Sequence, residues 1–146
     1  MLRNGRVSLQ NHCYLVTAVT HKRMRVFNDL GTGRIVVQEL IRSSSFGDTS
    51  TLAFVVMPDH IHWLFYLRGE KSLSSVVAAV KRFSSRRIHK EGIVDDGPIW
   101  QRGFHDHALR KEEDIKSVAR YIVANPVRAG LVRRVGDYPL WDAVWL

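Results

Sequence analysis

Two histidines separated by one residue, His60-Ile61-His62, lie inside an apolar, β-rich run from Phe54 to Tyr66. Side chains alternate faces along a strand, so His60 and His62 point the same way and Ile61 goes to the opposite face, toward a core. Two imidazoles about 7 Å apart along the backbone and converging on one point are spaced as two ligands of a divalent ion would be. A second group of polar residues follows later in the chain. Over residues 112–125 the apolar positions Ile115, Val118, Ala119, Ile122 and Val123 fall on one helical stripe, with Asp114, Tyr121 and Asn125 along its border. Each of these residues also has a plain packing reading: a half-buried histidine with a hydrogen-bond partner, or a rim tyrosine with a wet hydroxyl. Asn125, followed by Pro126, reads equally as the N-cap of a new helix, and a break near it is expected.

The elements that must position these side chains follow from local patterning. Residues 12–20 are β-branched and alternating, a first strand. Residues 34–42 have helical periodicity through Ile35, Val36, Glu39 and Leu40. Gly31-Thr32-Gly33 before them lacks the Lys-Ser/Thr ending of a phosphate loop and reads as a turn. Residues 43–50 read as a polar loop. Residues 52–57 and 60–67 read as two strands meeting at Pro58-Asp59, or as one long bent strand. Ser72 opens a helix with Leu73, Val76, Val77, Val80 and Phe83 inward, and Lys81, Arg82, Arg86, Arg87 and Lys90 crowd its second half. Those cations read either as a solvated helix end, favourably placed against the dipole, or as phosphate contacts. The segment 99–107 leads into the last long helix, which starts near Lys111.

The 146 residues suit a single domain, 1–146, with a core of ordinary size. No apolar run reaches the roughly 18 residues a membrane span needs, and residues 1–6 lack the apolar segment of a secretory signal. Cys13 is the only cysteine, which excludes an internal disulfide or a thiolate zinc cage, suits a small core residue, and makes a reducing cytoplasm the natural address. The excess of 22 Lys plus Arg over 14 Asp plus Glu gives a net charge of +8. That balance favours a polyanionic partner, nucleic acid first.

Three stretches resemble one family in order along the chain: Met57-Pro58-Asp59-His60-Ile61-His62, then Trp100-Gln101-Arg102-Gly103-Phe104-His105-Asp106-His107-Ala108-Leu109-Arg110, then Tyr121-Ile122-Val123-Ala124-Asn125-Pro126-Val127-Arg128-Ala129-Gly130-Leu131-Val132. They are similar to the REP-associated tyrosine transposases, IS200-like single-tyrosine transposases with a His-hydrophobic-His motif. The segment 137–146 is similar to theirs as well. The resemblance implies an α+β fold of ferredoxin-like type, with a central antiparallel β-sheet and helices on one face. It implies that His60 and His62 hold Mg2+ or Mn2+ and that Asn125 stands where the family places a third, oxygen ligand. Hard ions prefer oxygen, so such a set would bind weakly and leave positions open for phosphate. By the same resemblance Tyr121 is the nucleophile, attacking a DNA phosphorus to leave a 5′-phosphotyrosine and a free 3′-OH.

The implied function is that of a single-strand DNA endonuclease and strand transferase acting on hairpins of the repetitive extragenic palindrome (REP) or inverted-repeat kind, in the cytoplasm at the nucleoid, as a monomer or homodimer. Lys81, Arg82, Arg86, Arg87, Arg128, Arg133 and Arg134 would supply phosphate contacts, with Trp100 or Phe104 available for base stacking. His105-Asp106-His107 could form a second ligand set, though orienting DNA or a neighbouring side chain suits it better. Asp59 stands where many relatives carry asparagine, a change expected to matter little in a turn, and Asn125 replaces the glutamine or glutamate of other branches. Two alternatives compete: a domesticated, non-catalytic repeat-DNA-binding protein, and a phosphoesterase that activates water at a metal. The intact Tyr121 with both histidines disfavours the first, and the lack of an Asp/Glu-rich cluster disfavours the second.

Overall fold

The computed structural model describes residues 9–145, so the reading of residues 1–6 lies outside the described residues. Five strands form one sheet in the order β4-β1-β3-β2-β5, with β1 Cys13–Val19, β2 Thr49–Met57, β3 His60–Leu67, β4 His105–Leu109 and β5 Trp141–Ala143. Every pairing is antiparallel. Helices α1 Leu30–Ser45 and α2 Leu73–Glu91 connect β1 to β2 and β3 to β4, giving the βαββαβ order of a ferredoxin-like fold. Helix α3 Glu112–Val123 and the short α4 Asn125–Arg128 follow.

Alternation in the strands divides the molecule into two cores. Tyr14, Val16 and Ala18 of β1, Phe54 and Val56 of β2, and Ile61, Trp63, Phe65 and Leu67 of β3 pack under α1 and α2. Cys13, Ala53, Val55, Met57 and Leu64 face the other way, against Ile115, Ala119, Ile122 and Val123 of α3. The expected placement of helices on one face therefore holds for α1 and α2, while α3 covers part of the opposite face. Cys13 is buried, and burial pushes its thiol up to about 12, as suits a core cysteine.

Two local expectations change, and an alternative left open between Leu52 and Leu67 is decided. Gly31-Thr32-Gly33 is the first turn of α1, not a turn before it, because Asp29 caps that helix by accepting from the Gly31 and Thr32 amides at 2.7 and 3.3 Å. Gly33 packs closely on Leu140, and a Cβ there would stand 2.4 Å from a Leu140 methyl and oblige that side chain to shift. The segment 43–50 is not a loop throughout, because α1 runs to Ser45 and β2 starts at Thr49. Finally, residues 52–57 and 60–67 are two strands in a hairpin whose tight turn is Pro58-Asp59, with Met57 paired to His60. A bulge between Thr51 and Ala53 adjusts the register.

Candidate active site

Register and alternation together place the histidine pair. His60 and His62 lie on the α3 face of β3 with ring centroids 4.9 Å apart and planes at 78°, while Ile61 is buried in the opposite core. They sit at the hairpin end of β3 between β1 and β2, beside Val55 and Met57 of the α3-side core, and both rings are half-buried. Each ring has one nitrogen engaged. His60 Nδ1 is 2.7 Å from the Asp59 Oδ1, and His62 Nδ1 is 2.8 Å from the hydroxyl of Thr17, its cross-strand partner on β1.

Electrostatics keep the site's deeper ring neutral. Burial, the neighbouring His60 and the positive charge of Arg128 lower the pKa of His62 to about 4. For Asp59, partial burial works to raise the pKa, but the hydrogen bonds and charges of His60 and Arg23 outweigh it and hold the carboxyl below its usual range. Arg23 closes the chain of contacts, its Nη1 lying 3.2 Å from Asp59 Oδ2. Asp59 is thus a bridging residue of the site as well as a turn residue.

The late helix supplies the second half. Residues 112–123 form α3 with acidic residues Glu112, Glu113 and Asp114 in its first turn, where they complement the helix dipole. Its buried stripe is Ile115, Ala119, Ile122 and Val123, with Val118 only half-buried at its edge. Tyr121 stands off this stripe and is 62% exposed, so its phenol is open to a substrate. The expected break occurs at Ala124, after which Pro126 occupies the start of α4. The N-cap reading of Asn125 is not met, because Ala124 holds the cap position and no side chain caps α4. The Asn125 amide instead accepts from Arg128 Nη2 at 3.3 Å, and the Arg128 guanidinium stacks 3.6 Å over the Tyr121 ring. Arg128 therefore touches Tyr121 and Asn125 and acts electrostatically on His62, tying the two halves together.

The donor set fits a hard divalent ion only modestly. Among the described residues no group of three or more His, Cys, Asp or Glu side chains is placed to hold a metal. What is available is two imidazoles, each with Nδ1 already partnered, and the Asn125 amide oxygen, which Arg128 now occupies. Two nitrogens, one exchangeable oxygen and water suit weak binding with room for a phosphate.

The basic residues separate into two kinds. Arg82, Arg86, Arg128, Arg133 and Arg134 are exposed, Arg134 within 3.5 Å of Asp137. Lys81 and Arg87 turn inward. The Lys81 ammonium donates to the carbonyls of Gln101, at 2.9 Å, and Gly103, and burial lowers its pKa to about 8. Arg87 donates to Glu39 at 2.9 Å and to the Gln38 amide oxygen, and Glu39 is only 2% exposed. Both are engaged in holding α2 to its neighbours. Trp100 and Phe104 are also corrected: they are 7% and 8% exposed, members of the core, and the Trp100 indole donates to Ser84 while its ring lies 5.4 Å from Phe27. Neither presents a face for a base.

His105 and His107 are exposed on β4, opposite Thr17 and Leu15 respectively. They share the face of His60 and His62 but stand beyond β1, which separates them from the pair. Sequence reasoning missed Thr17 altogether. Its hydroxyl lies in an alternating strand, and only the β1-β3 register, a long-range fact, places it against His62.

Comparison with known proteins supplies an independent line. The sequence profile of the family described as Transposase IS200 like matches residues 8–125. The REP-associated tyrosine transposase of Escherichia coli K12 is 35% identical over 88 residues, covering 60% of this chain and 50% of that protein. A Haemophilus influenzae relative is 33% identical over 98 residues, covering 61% of this chain and 56% of its own length. The chain thus spans about half the length of the curated relatives it matches. A solved structure of a REP-associated tyrosine transposase bound to a REP hairpin superposes with a TM-score of 0.78 at 25% identity, covering 97% of this chain and 82% of that one.

Proposed function

Since the chain belongs to the IS200-like transposase family, we propose that it is a metal-dependent single-strand DNA endonuclease and strand transferase that acts on REP-type hairpins through Tyr121. The observation that carries this reading is the exposed Tyr121 linked through Arg128 and Asn125 to a paired-histidine site on one sheet face. The hairpin-bound relative supports the choice of DNA. Residues 1–146 would form one catalytic domain.

In the reaction, the Tyr121 oxygen forms a bond to a DNA phosphorus as the phosphorus–O3′ bond breaks. The phenolic proton leaves, the departing 3′ oxygen takes up a proton, and the 5′ side stays on the protein as a phosphotyrosine. Attack by a 3′-OH on that ester runs the step backwards and joins strands without ATP. Mg2+ or Mn2+ held by His60, His62 and Asn125 would polarise a phosphoryl oxygen. The Arg128 guanidinium, planar and permanently charged, is suited to phosphate binding and lies against the nucleophile's ring. His62, neutral at physiological pH, keeps a lone pair available for coordination.

The test is incubation of the protein with hairpin DNA carrying a single-stranded flank, Mn2+ and a denaturing gel. Wild type should give a covalent DNA-protein adduct that Tyr121→Phe loses entirely, a drop of more than about 10³-fold, while hairpin binding persists. An adduct mapping to Tyr14, Tyr66 or Tyr138 would refute the assignment. Wild-type binding without any adduct would favour the non-catalytic repeat-binding protein.

A further inference from the structure

We propose that Asp59 and Thr17 are positioning residues that hold the Nδ1 atoms of His60 and His62, so that Nε2 is the nitrogen each ring presents to an ion. This deepens the metal-dependent reading above and rests on it. The geometry is asymmetric between the two rings. A carboxylate oxygen accepts and cannot donate, so the 2.7 Å contact from Asp59 Oδ1 puts a proton on His60 Nδ1 and, in the neutral ring, leaves the Nε2 lone pair free. A hydroxyl can do either, and at His62 the Thr17 oxygen, 2.8 Å away, accepts from Nδ1–H in the proposed arrangement. Partners of this kind fix both the tautomer and the orientation of a ligating imidazole.

The chain around Asp59 is built to keep its side chain in place. The Thr20 amide donates to the Asp59 carbonyl at 2.9 Å, the Thr20 hydroxyl shares its one proton between the Met24 carbonyl at 2.7 Å and the Asp59 carbonyl at 3.0 Å, and the Phe27 amide donates to the Pro58 carbonyl at 3.0 Å. The backbone of the turn is therefore held from the far side while its carboxylate bridges His60 and Arg23. Lys22 and Arg23 have φ of 53° and 52°, two successive non-glycine residues in the left-handed region. Such backbone persists where surroundings impose it and gathers at functional sites. Here it delivers the Arg23 guanidinium to Asp59. The β2-β3 ladder itself closes at Met57 and His60, one residue from Asp59.

Two readouts on the full chain test this. In metal-free, 15N-labelled protein, two-bond 1H–15N correlations report the tautomer of each ring, and Mn2+ titration followed by electron paramagnetic resonance reports affinity. Wild type should show both rings protonated at Nδ1. Asp59→Ala should release His60 to a mixture of tautomers and weaken Mn2+ binding by about 10- to 100-fold, and Thr17→Val should do the same at His62. Asp59→Asn, whose amide oxygen still accepts, should keep the His60 tautomer and lose less affinity. A wild-type His60 or His62 protonated at Nε2 would overturn the corresponding half of the proposal, as would an alanine or valine variant with tautomer and affinity unchanged. Fixed Nδ1–H tautomers in a wild-type protein that takes up no Mn2+ would uphold the positioning contacts and defeat the metal-dependent reading instead.

Discussion

The two faces of strand β3 are made by the same eight residues and serve opposite ends. On the α1/α2 side Ile61, Trp63, Phe65 and Leu67 are covered completely, and even the polar groups there are paired: the Trp63 indole donates to Thr51 at 2.9 Å, and Glu39 is held by Arg87 and Arg42. On the α3 side only Leu64 is fully buried, while His60, His62 and Tyr66 are half-buried. Helix α3 is 12 residues long against 16 and 19 for α1 and α2, and its apolar stripe packs mainly on β2 and β5. The histidines stand at the edge of that core, half-buried beside Val55 and Met57, their partners on β2. Apolar burial is heavier on the α1/α2 face of β3, and the half-buried polar side chains of the strand lie on the other.

The contrast is broken most sharply at the histidines. His60→Ala and His62→Ala should each reduce divalent-dependent cleavage by more than about 10²-fold, the scale of losing one charge-stabilising group in an active site. Both variants should stay folded, with losses in the usual range of about 0.5 to 3 kcal/mol for a point substitution and the larger one at the deeper His62. Hairpin affinity should hardly change, because it is spread over many cations. Cleavage assays, urea unfolding and filter binding on each variant check the three parts. A variant that unfolds or stops binding in parallel with its loss of cleavage would show the open face to be structural after all.

Arg87 is the counterpart on the closed face. Arg87→Ala leaves the Glu39 carboxylate, 2% exposed, with only Arg42 at 3.5 Å. A loss of roughly 3 kcal/mol is expected, toward the lower end for a buried pair deprived of one partner because the second arginine remains. Glu39→Gln combined with Arg87→Ala should recover part of it. DNA affinity measured well below the unfolding transition should fall no more than for an uninvolved surface residue. A larger fall in affinity than in stability would return Arg87 to the phosphate-binding set.

Much of this organisation was legible in local pattern. The period-two alternation around His60 and His62 gave the shared face, and the helical period put Tyr121 and Asn125 on one border, while the roles expected of all four came from the family resemblance. Both placements are properties of contiguous sequence. What was not legible depended on register or on distant packing. Lys81, Arg82, Arg86 and Arg87 look alike on a helical wheel crowded with cations, and only the approach of Glu39 and of the 101–103 carbonyls turns two of them inward. Trp100 and Phe104 have the composition of a stacking platform, yet the Thr20-Trp100 bridge draws their segment into the core. Strand β5 is three residues long, too short to show a period, and it exists because β2 offers an edge for Val55 and Ala53 to pair with Trp141 and Ala143. The role of Asp59 was within reach, since it adjoins His60, but turn chemistry alone gave no reason to expect its carboxylate to face the ring.

A pH titration separates the faces more finely. His62 has a pKa of about 4 in the folded chain against 6.5 for an ordinary histidine, through burial, His60 and Arg128. As pH falls from 6.5 toward 4 the unfolded chain binds the proton first, so the stability this residue contributes is present above that window and is lost through it. The dependence of urea midpoint on pH should therefore be shallower in His62→Gln than in wild type between about pH 6.5 and 4, and the two should run parallel above pH 7. Identical slopes throughout would mean that His62 is as easily protonated in the fold as out of it, and that the site is wetter than its burial indicates.

The smallest effect belongs to the exposed half of the α2 cations. Arg82 and Arg86 lie 5.0 and 5.8 Å from the Phe83 ring centroid and have no carboxylate partner within salt-bridge distance among the described residues. Replacing either with glutamine should alter stability by no more than about 0.5 kcal/mol, as is usual for a surface change away from caps and core. If the guanidinium meets a phosphate, the substitution should weaken hairpin binding equally for all sequences and flatten the slope of log affinity against log salt by about 1. Arg87→Ala should leave that slope where it was. Four positions apart on one helix face are Arg82 and Arg86, and one position further is Arg87, so equal salt slopes for Arg86→Gln and Arg87→Ala would erase the distinction between cations that hold the fold and cations that hold DNA.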